Sequence, residues 1–493
     1  MIITWLSTIY ILAAAGIAMF GLLGLLTLWY YWRHRDETFP CPDVSPVDLP
    51  QVTVQLPVYN ERFVIGRLVH AAARLDYPAE RLQIQVIDDS TDDTTDIARS
   101  LVDQYQAQGM DMQLVHRVNR QGYKAGALQA ALQQATGEFI VIFDADFEPD
   151  SDYLLRTIPH FLADDRLGMV QARWGHINPA ESQLTGAQTI ALDKHFAMEQ
   201  TVRHRANLYP KFNGSAGIWR RACLEDAGGW QDDTVCEDLC LSTRAILNGW
   251  RFRFLNDVEA PAELPTTISA YKNQQARWAK GSTQCLVKFG PSILTDSRHR
   301  LVARIYALLS MSGYMTHVLL LTLLLVQVPL ILFGYRPPAG LLLFAIAGIG
   351  QPLLFVLGQR ELYADWRRRL QFFPALLLVA VGLAPANTRA IIQALFGRRH
   401  TFVRTPKGSL AAIQLLPAAP GKTAPAQSRQ LKPYRLPVDW IVLVELLLAA
   451  YAATGFILCL ISGNPGPMFF MLTCTLGFSY VALSTIREQF SAS

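Results

Sequence analysis

Apolar and polar positions divide the chain into three stretches. The first, residues 2–32, contains no charged residue and is long enough for one bilayer crossing, which takes about 20 apolar helical residues. From Gln51 onward, short apolar runs alternate with helical periodicities. Strands are predicted at 52–57, 82–87, 112–116 and 139–143, and helices at 62–75, 92–106 and 124–134. The run 139–143, Phe-Ile-Val-Ile-Phe, is too short and too β-branched for a helix and reads as a strand buried on both faces. The βαβαβαβ order implies right-handed crossovers and a mostly parallel sheet, with ligands expected at the carboxyl rim of the strands.

After Asp150 the pattern loses regularity. It predicts a long amphipathic helix over 183–205, a small-residue loop at 212–217, a helix from Glu237-Asp238 to 247, and a further helix over 266–288. The third stretch is again apolar. Spans are predicted at 305–333 and 341–357, and at 440–461 and 468–483, each pair joined by a short Gly/Pro turn. Between the pairs, the apolar segment 372–396 has Arg360, Arg367, Arg368 and Arg369 on one side and a basic run from Arg398 to Arg435 on the other. Positive residues collect in the cytoplasm, so both flanks are expected there. With Pro374, Pro385, Asn387 and Arg389 inside it, the segment fits an interfacial or re-entrant helix better than a crossing. Five spans result.

The organisation expected is an anchor (1–35), a proline-rich linker (36–50), a cytosolic catalytic domain (51–265) and interfacial helices (266–300). Two transmembrane helices (301–360), an interfacial helix with a loop (361–436), and two more transmembrane helices with a short tail (437–493) complete it. An aromatic belt, Trp29 to Trp32, followed by Arg33 and Arg35, places the N-terminus outside and the C-terminus inside an inner cell membrane, with the catalytic domain cytoplasmic. Without a basic n-region or cleavage site, the first segment reads as an uncleaved anchor.

Composition agrees with a membrane protein that carries a large soluble part: 51% of the 493 residues are hydrophobic and 17% charged. A net charge of +4 gives no field that would favour nucleic acid. The seven cysteines show no paired spacing and fit a reduced compartment. Cys236 and Cys240 lack histidine partners, which argues against zinc.

The candidate chemistry is acidic. Strand 139–143 ends at Asp144, and Asp146 follows two residues later, so both carboxylates point to one side of the strand end. Two such oxygens suit Mg2+ or Mn2+; the alternative is a solvated Asp-rich turn. Asp88-Asp89 ends strand 82–87 on the same rim, and two acidic strand ends there weigh against accidental turns. Glu237-Asp238 opens a helix, where capping of the dipole alone would explain either carboxylate. Gln274, Arg277 and Trp278 share a helix face, as a membrane-surface helix with a snorkelling arginine would also show.

The motif set resembles the processive family 2 glycosyltransferases, the cellulose synthase-like group that includes plant mannan and glucan synthases. The segments that carry the likeness are Leu56-Pro57-Val58-Tyr59-Asn60-Glu61, Asp88-Asp89-Ser90-Thr91-Asp92, Gly122-Tyr123-Lys124-Ala125-Gly126, Phe143-Asp144-Ala145-Asp146, Phe212-Asn213-Gly214-Ser215, Cys236-Glu237-Asp238 and Gln274-Gln275-Ala276-Arg277-Trp278. Thr401 to Gly408 resembles the gating loop that covers the donor. Cys236 replaces the family's usual Thr or Val, and Arg404 stands at a position of Val. No cyclic-dinucleotide-binding domain follows the last span, so activation by such a ligand is not expected.

The resemblance implies a glycosyltransferase A-type, Rossmann-like α/β domain inserted in an α-helical multi-pass membrane region. It implies that Asp89 and Asp88 contact the nucleotide, with Tyr59 and Glu61 near the base, and that Lys124 neutralises phosphate. Asp144 and Asp146 would bind the diphosphate, through Mg2+ or Mn2+. Asp238, with Glu237 beside it, would be the general base. Gln274 would bind substrate, Arg277 would steady the leaving diphosphate, and Trp278 would stack on the acceptor sugar. The expected reaction is inverting transfer of a hexose from UDP-glucose or GDP-mannose to a growing β-glycan. A glycolipid synthase acting on diacylglycerol or ceramide is the alternative, and a transporter or inactive scaffold a third. Partners are a nucleotide-sugar donor, a glycan or lipid acceptor and membrane lipids, without nucleic acid; a homo-oligomer is left open.

Overall fold

In a computed structural model, which describes residues 1–397 and 439–490, the four predicted strands form one half of a seven-stranded sheet. β1 (Val52–Val58) pairs in parallel with β2 (Leu82–Asp88) and with β4 (Phe139–Ile142), and β2 pairs in parallel with β3 (Asp111–His116). Alternate side chains of the 139–143 run enter two separate cores, as strand periodicity requires. Phe139, Val141 and Phe143 pack with Leu68 of α2 (Ile65–Ala73) and Val102 of α3 (Thr94–Ala107). Ile140 and Ile142 pack with Leu128 and Ala131 of α4 (Tyr123–Leu132). Both faces are covered, which explains the unbroken apolar run.

The second half keeps the sheet mostly parallel, as expected, and adds one reversed strand that the pattern did not predict. β6 (Gly217–Arg220) lies antiparallel between β4 and β5 (Leu167–His176), and β7 (Arg251–Ala262) pairs in parallel with β5 at the edge, giving the order β3-β2-β1-β4-β6-β5-β7. The predicted helix 183–205 begins as α5 (Gln183–Asp193) and passes into a π-helical turn, Lys194–Gln200. α6 (Glu237–Leu247) begins at the acidic pair as predicted. α7 (Ile268–Thr295) continues beyond the predicted end and past Pro291.

Among the described residues, five helices are long and apolar enough to cross a bilayer, or six if one bent pair counts as a span; the chain is an integral membrane protein. α1 (Ile2–His34) is the first. The predicted span 305–333 is two helices instead, α8 (Leu301–Met311) and α9 (Met315–Leu332), separated by a turn in which Met315 N–H donates to Ser312 O at 2.8 Å. α8 turns its buried face, Ala303, Tyr306 and Ala307, into the core of the soluble domain, so only α9 has the span's length and hydropathy. The predicted 341–357 extends through α10 (Gly350–Leu362). The segment 372–396 forms α11 (Phe373–Gly382) and α12 (Ala384–Leu395), with a 43° bend between them. α13 (Ile441–Ser462) and α14 (Met468–Phe490) form the last hairpin. The gating-like loop with Arg404, and the basic run from Arg398 to Arg435, lie outside the described residues.

α1 meets the stretch that leads into α10 backbone against backbone. A Cβ on Gly350 would stand 2.5 Å from Gly21 O and 2.7 Å from Leu25 N, and one on Gly24 would stand 2.9 Å from Gly350 C. Gln351 Nε2 donates to Phe20 O at 3.2 Å. Small residues at helix crossings of this kind permit close approach inside membranes.

Candidate active site

The ends of β1, β2 and β4, the start of α6 and one face of α7 converge on a cleft of about 190 Å3 at the carboxyl rim of the sheet. β4 delivers the first acidic pair. Asp144 N–H donates to Ser215 Oγ at 2.9 Å, Phe147 N–H closes a turn onto Asp144 O at 3.1 Å, and Glu263 N–H donates to Asp146 O at 3.0 Å. The turn is therefore held by the residue that follows β7, a strand the pattern did not predict, and by the small-residue loop before β6, which it did. Lys124, in the first turn of α4, donates from Nζ to Asp144 Oδ1 at 2.5 Å and to Gly214 O at 2.8 Å, and stands 3.9 Å from Glu237 Oε1. Burial alone would pull the Lys124 pKa down, but Asp144 and Glu237 outweigh it and hold the ammonium above its usual value. Burial, with Asp146 adding to it and Lys124 opposing, holds Asp144 above the usual carboxylate range.

The second acidic pair lines the same cleft, with Lys124 between Asp144 and Glu237. Burial raises the pKa of both Glu237 and Asp238. Asp238 Oδ1 accepts the Leu239 N–H at 2.8 Å, so the capping role is real but occupies one oxygen only. Oδ2 is turned toward Gly214. Cys236 packs against Gly281 of α7 so closely that a Cβ at Gly281 would not fit, and Val235 N–H donates to Gln284 Oε1 at 2.9 Å. These contacts dock α7 beside the acidic pair and bring Gln274, Arg277 and Trp278 into the cleft wall.

Tyr59, Glu61 and Asp89 also line the cleft. Asp89 is gripped by Arg117 through two bonds, Nε to Oδ1 at 2.7 Å and Nη2 to Oδ2 at 2.5 Å. Arg120 lies 3.2 Å from the centroid of the Tyr59 ring. Asp88 departs from the expected placement. It is fully buried outside the cleft lining, and its carboxylate accepts from Ser90 N–H at 3.0 Å and Thr95 Oγ1 at 2.6 Å and meets His116 Nδ1 at 2.8 Å. So enclosed, Asp88 shapes the β2 end.

Sequence reasoning overlooked Arg117, Arg120 and Trp174, the last two of which line the cleft, and it quoted Asn213, also in the lining, without giving it a role. The arginines sit in the loop that follows β3 on the functional rim, a position that could have singled them out. Trp174 lies on β5, a strand the pattern did not predict; its Nε1 donates to Ser215 O at 3.1 Å.

Among the described residues no three His, Cys, Asp or Glu side chains cluster as a complete metal cage. Asp144 and Asp146 instead offer hard oxygen ligands from one side of an open cleft. That fits Mg2+ or Mn2+, which keep phosphate and water oxygens as their remaining ligands, and does not fit a closed nitrogen and sulfur site.

A family model described as "Glycosyltransferase like family 2" matches residues 50–281. Glucomannan 4-beta-mannosyltransferase 1 of Cyamopsis tetragonoloba is 42% identical over 264 residues, 52% of this chain and 50% of that protein. The first curated relatives are thus matched over about half their length. Glucomannan 4-beta-mannosyltransferase 7 of Arabidopsis thaliana is 30% identical over 486 residues, 94% of this chain and 81% of that protein. Among solved structures, the Pyrobaculum calidifontis mannosyltransferase PcManGT, determined with GDP-Man and Mn2+, shares the fold: it aligns at a TM-score of 0.55 and 23% identity, over 80% of this chain and 100% of that one. Motif order, a glycosyltransferase A-type mixed sheet and near full-length similarity to a plant relative agree, and the chain belongs to glycosyltransferase family 2, in its cellulose synthase-like branch.

Proposed function

We propose that this chain is a membrane-embedded, inverting β-glycan synthase that transfers mannose from GDP-mannose to the end of a growing polymer. The observation that carries the proposal is the meeting of three groups in one cleft: the Asp144/Asp146 turn, the Glu237-Asp238 pair and Trp278 on the helix that packs against the membrane bundle. The mannose preference draws on the relatives, which are glucomannan mannosyltransferases.

Asp146, with Asp144, would hold the divalent cation, which when bound supplies charge neutralisation for the donor diphosphate. Lys124, kept cationic by Asp144 and Glu237, adds a fixed positive charge on the same side. Asp89, oriented by Arg117, and Tyr59 form the nucleoside end of the cleft. The acceptor hydroxyl oxygen attacks the anomeric carbon as Asp238 Oδ2 takes its proton. The bond from that carbon to the diphosphate oxygen breaks, and the electron pair leaves with the nucleoside diphosphate, steadied by Arg277. One displacement from the face opposite the leaving group converts an α-linked donor into a β-glycoside. Trp278 offers the terminal sugar a flat apolar face.

The catalytic domain is read as cytoplasmic, with the N-terminus outside; a reporter fused after Ser493 should behave as cytoplasmic. The decisive experiment incubates the purified full-length protein with labelled GDP-mannose or UDP-glucose and sizes the product. Polymer from GDP-mannose is expected, and Trp278→Ala should leave donor hydrolysis while shortening the polymer. Products that stay at one or two sugars under excess donor would refute the polymer reading.

A further inference from the structure

We propose that Lys272, Glu445 and Glu488 are positioning residues: the C-terminal hairpin fixes the rotation of α7 and so aims Arg277 and Trp278 into the cleft. The proposal rests on the synthase reading above. Lys272 Nζ donates to Glu445 Oε1 and Oε2 at 3.0 and 3.2 Å and to Thr485 Oγ1 at 3.2 Å. Lys272 is 6% exposed and Glu445 fully buried, within the first turns of an otherwise uncharged apolar helix, α13. An ion pair in such a place is costly to desolvate and weak as a source of net stability. Glu488, near the end of α14, accepts from Ile268 N–H at 2.5 Å, Ser269 N–H at 3.1 Å and Ser269 Oγ at 2.6 Å, capping α7 from another element. Both helices of the hairpin therefore grip the start of α7 through charge.

Helical geometry shows what that grip controls. At about 100° per residue, counted from Lys272, Arg277 lies near 140°, Gln274 near 200° and Trp278 near 240°. The cleft residues are centred almost opposite the buried lysine. Gln275, Ala276 and Ala279, at roughly 300°, 40° and 340°, stay on the lysine side. There Ala276 and Ala279 pack against Ala390 and Ile391 of α12, and Gln275 accepts from Tyr314 OH at 3.0 Å. One face of α7 is thus committed to membrane helices and the opposite face to catalysis. A small-residue contact surface slides easily, whereas a two-oxygen grip on one ammonium does not. Rotation of α7 by even a few tens of degrees would swing Trp278 away from the acceptor.

The test uses the full-length protein in detergent or nanodiscs with whichever nucleotide sugar the wild type consumes. Failure to make mannan would thereby count against the proposed function and not against this inference, which is read as the ratio of variant to wild-type turnover. Lys272→Met with Glu445→Met removes both charges together, so no unpaired ion is left to unfold the protein. It should keep donor affinity within about twofold and its melting temperature within a few degrees, while turnover falls at least about tenfold and products shorten. Wild-type turnover in that double variant, or a loss of donor affinity as large as the loss of turnover, overturns the proposal. The swap Lys272→Glu with Glu445→Lys is the second arm. It should recover turnover about tenfold or more over Lys272→Glu alone, and no recovery counts equally against positioning.

Discussion

Gly214 and Asp238 approach so closely that a Cβ on the glycine would lie 3.1 Å from the carboxylate oxygen Oδ2. Gly214 also holds φ at +89°, a conformation that other residues rarely adopt, and its carbonyl accepts from Lys124. One glycine thus sets the space beside the base and the height of the phosphate-side cation. Gly214→Ala should lower turnover by about 10²-fold, the scale on which small misplacements act, with a smaller loss of donor affinity. Steady-state kinetics beside a donor-binding titration would measure both, and unchanged turnover would mean the loop adjusts freely.

The pH profile should report Asp238. The base works ionised, and burial raises its pKa, with Lys124 and Lys211 opposing. Turnover should therefore fall as pH drops through a value above the ordinary carboxylate range. Lys211 is itself lowered to about 8 by burial, with Arg203 adding to it, so below that pH its charge still holds Asp238 down. Lys211→Met should let the Asp238 pKa rise further and move the acid limb to higher pH. An unmoved limb would show that its field does not reach the base. Asp238→Asn, by contrast, should cost on the order of 10²–10⁴ in turnover while donor binding persists.

Asp146→Asn removes a hard oxygen ligand and should abolish transfer, as excess chelator should in the wild type. Donor binding measured by calorimetry should tighten on adding Mn2+ or Mg2+ to the wild type but not to the variant. Transfer that continues in excess chelator would take the metal out of the mechanism.

Arg117→Lys tests the nucleoside end of the cleft. Lysine keeps the charge but loses the planar fork that spans both Asp89 oxygens, and with it the bonds from Arg117 to Gln121 O at 3.2 Å and Tyr123 O at 3.1 Å. Loss of charge-assisted bonds worth about 1.5–3 kcal/mol each should raise the donor KM at least about tenfold, with kcat less affected. An unchanged KM would assign Arg117 to scaffolding alone.

Legibility in the sequence followed burial. β4 announced itself because both its faces are covered and its apolar run is unbroken, while β1 and β2 did so by strict alternation, with Thr53 and Gln55 paired to Gln83 and Gln85 between apolar neighbours. β6 escaped notice because four residues, Gly217 to Arg220, make no periodicity. β5 and β7 escaped because polar side chains such as Gln171, Arg173 and Arg253 interrupt them. The acidic motifs were readable since their spacing is local, but the fate of Asp88 was not. Its enclosure depends on His116 and Thr95, which only folding brings to it. The split between α8 and α9 had its signal in Ser312-Gly313, a turn pair that the surrounding hydropathy masked.

The seam between α1 and the stretch leading into α10 separates two requirements that hydropathy alone would merge. Entering a bilayer asks only that side chains be greasy; joining this bundle asks that, at Gly21, Gly24 and Gly350, there be none. A generic polyleucine segment in place of residues 2–32 would still insert, yet it would be held off from its neighbour by the width of its own side chains. The first helix is therefore an individually fitted part, and its amino-acid identities carry as much architectural information as those of the soluble domain.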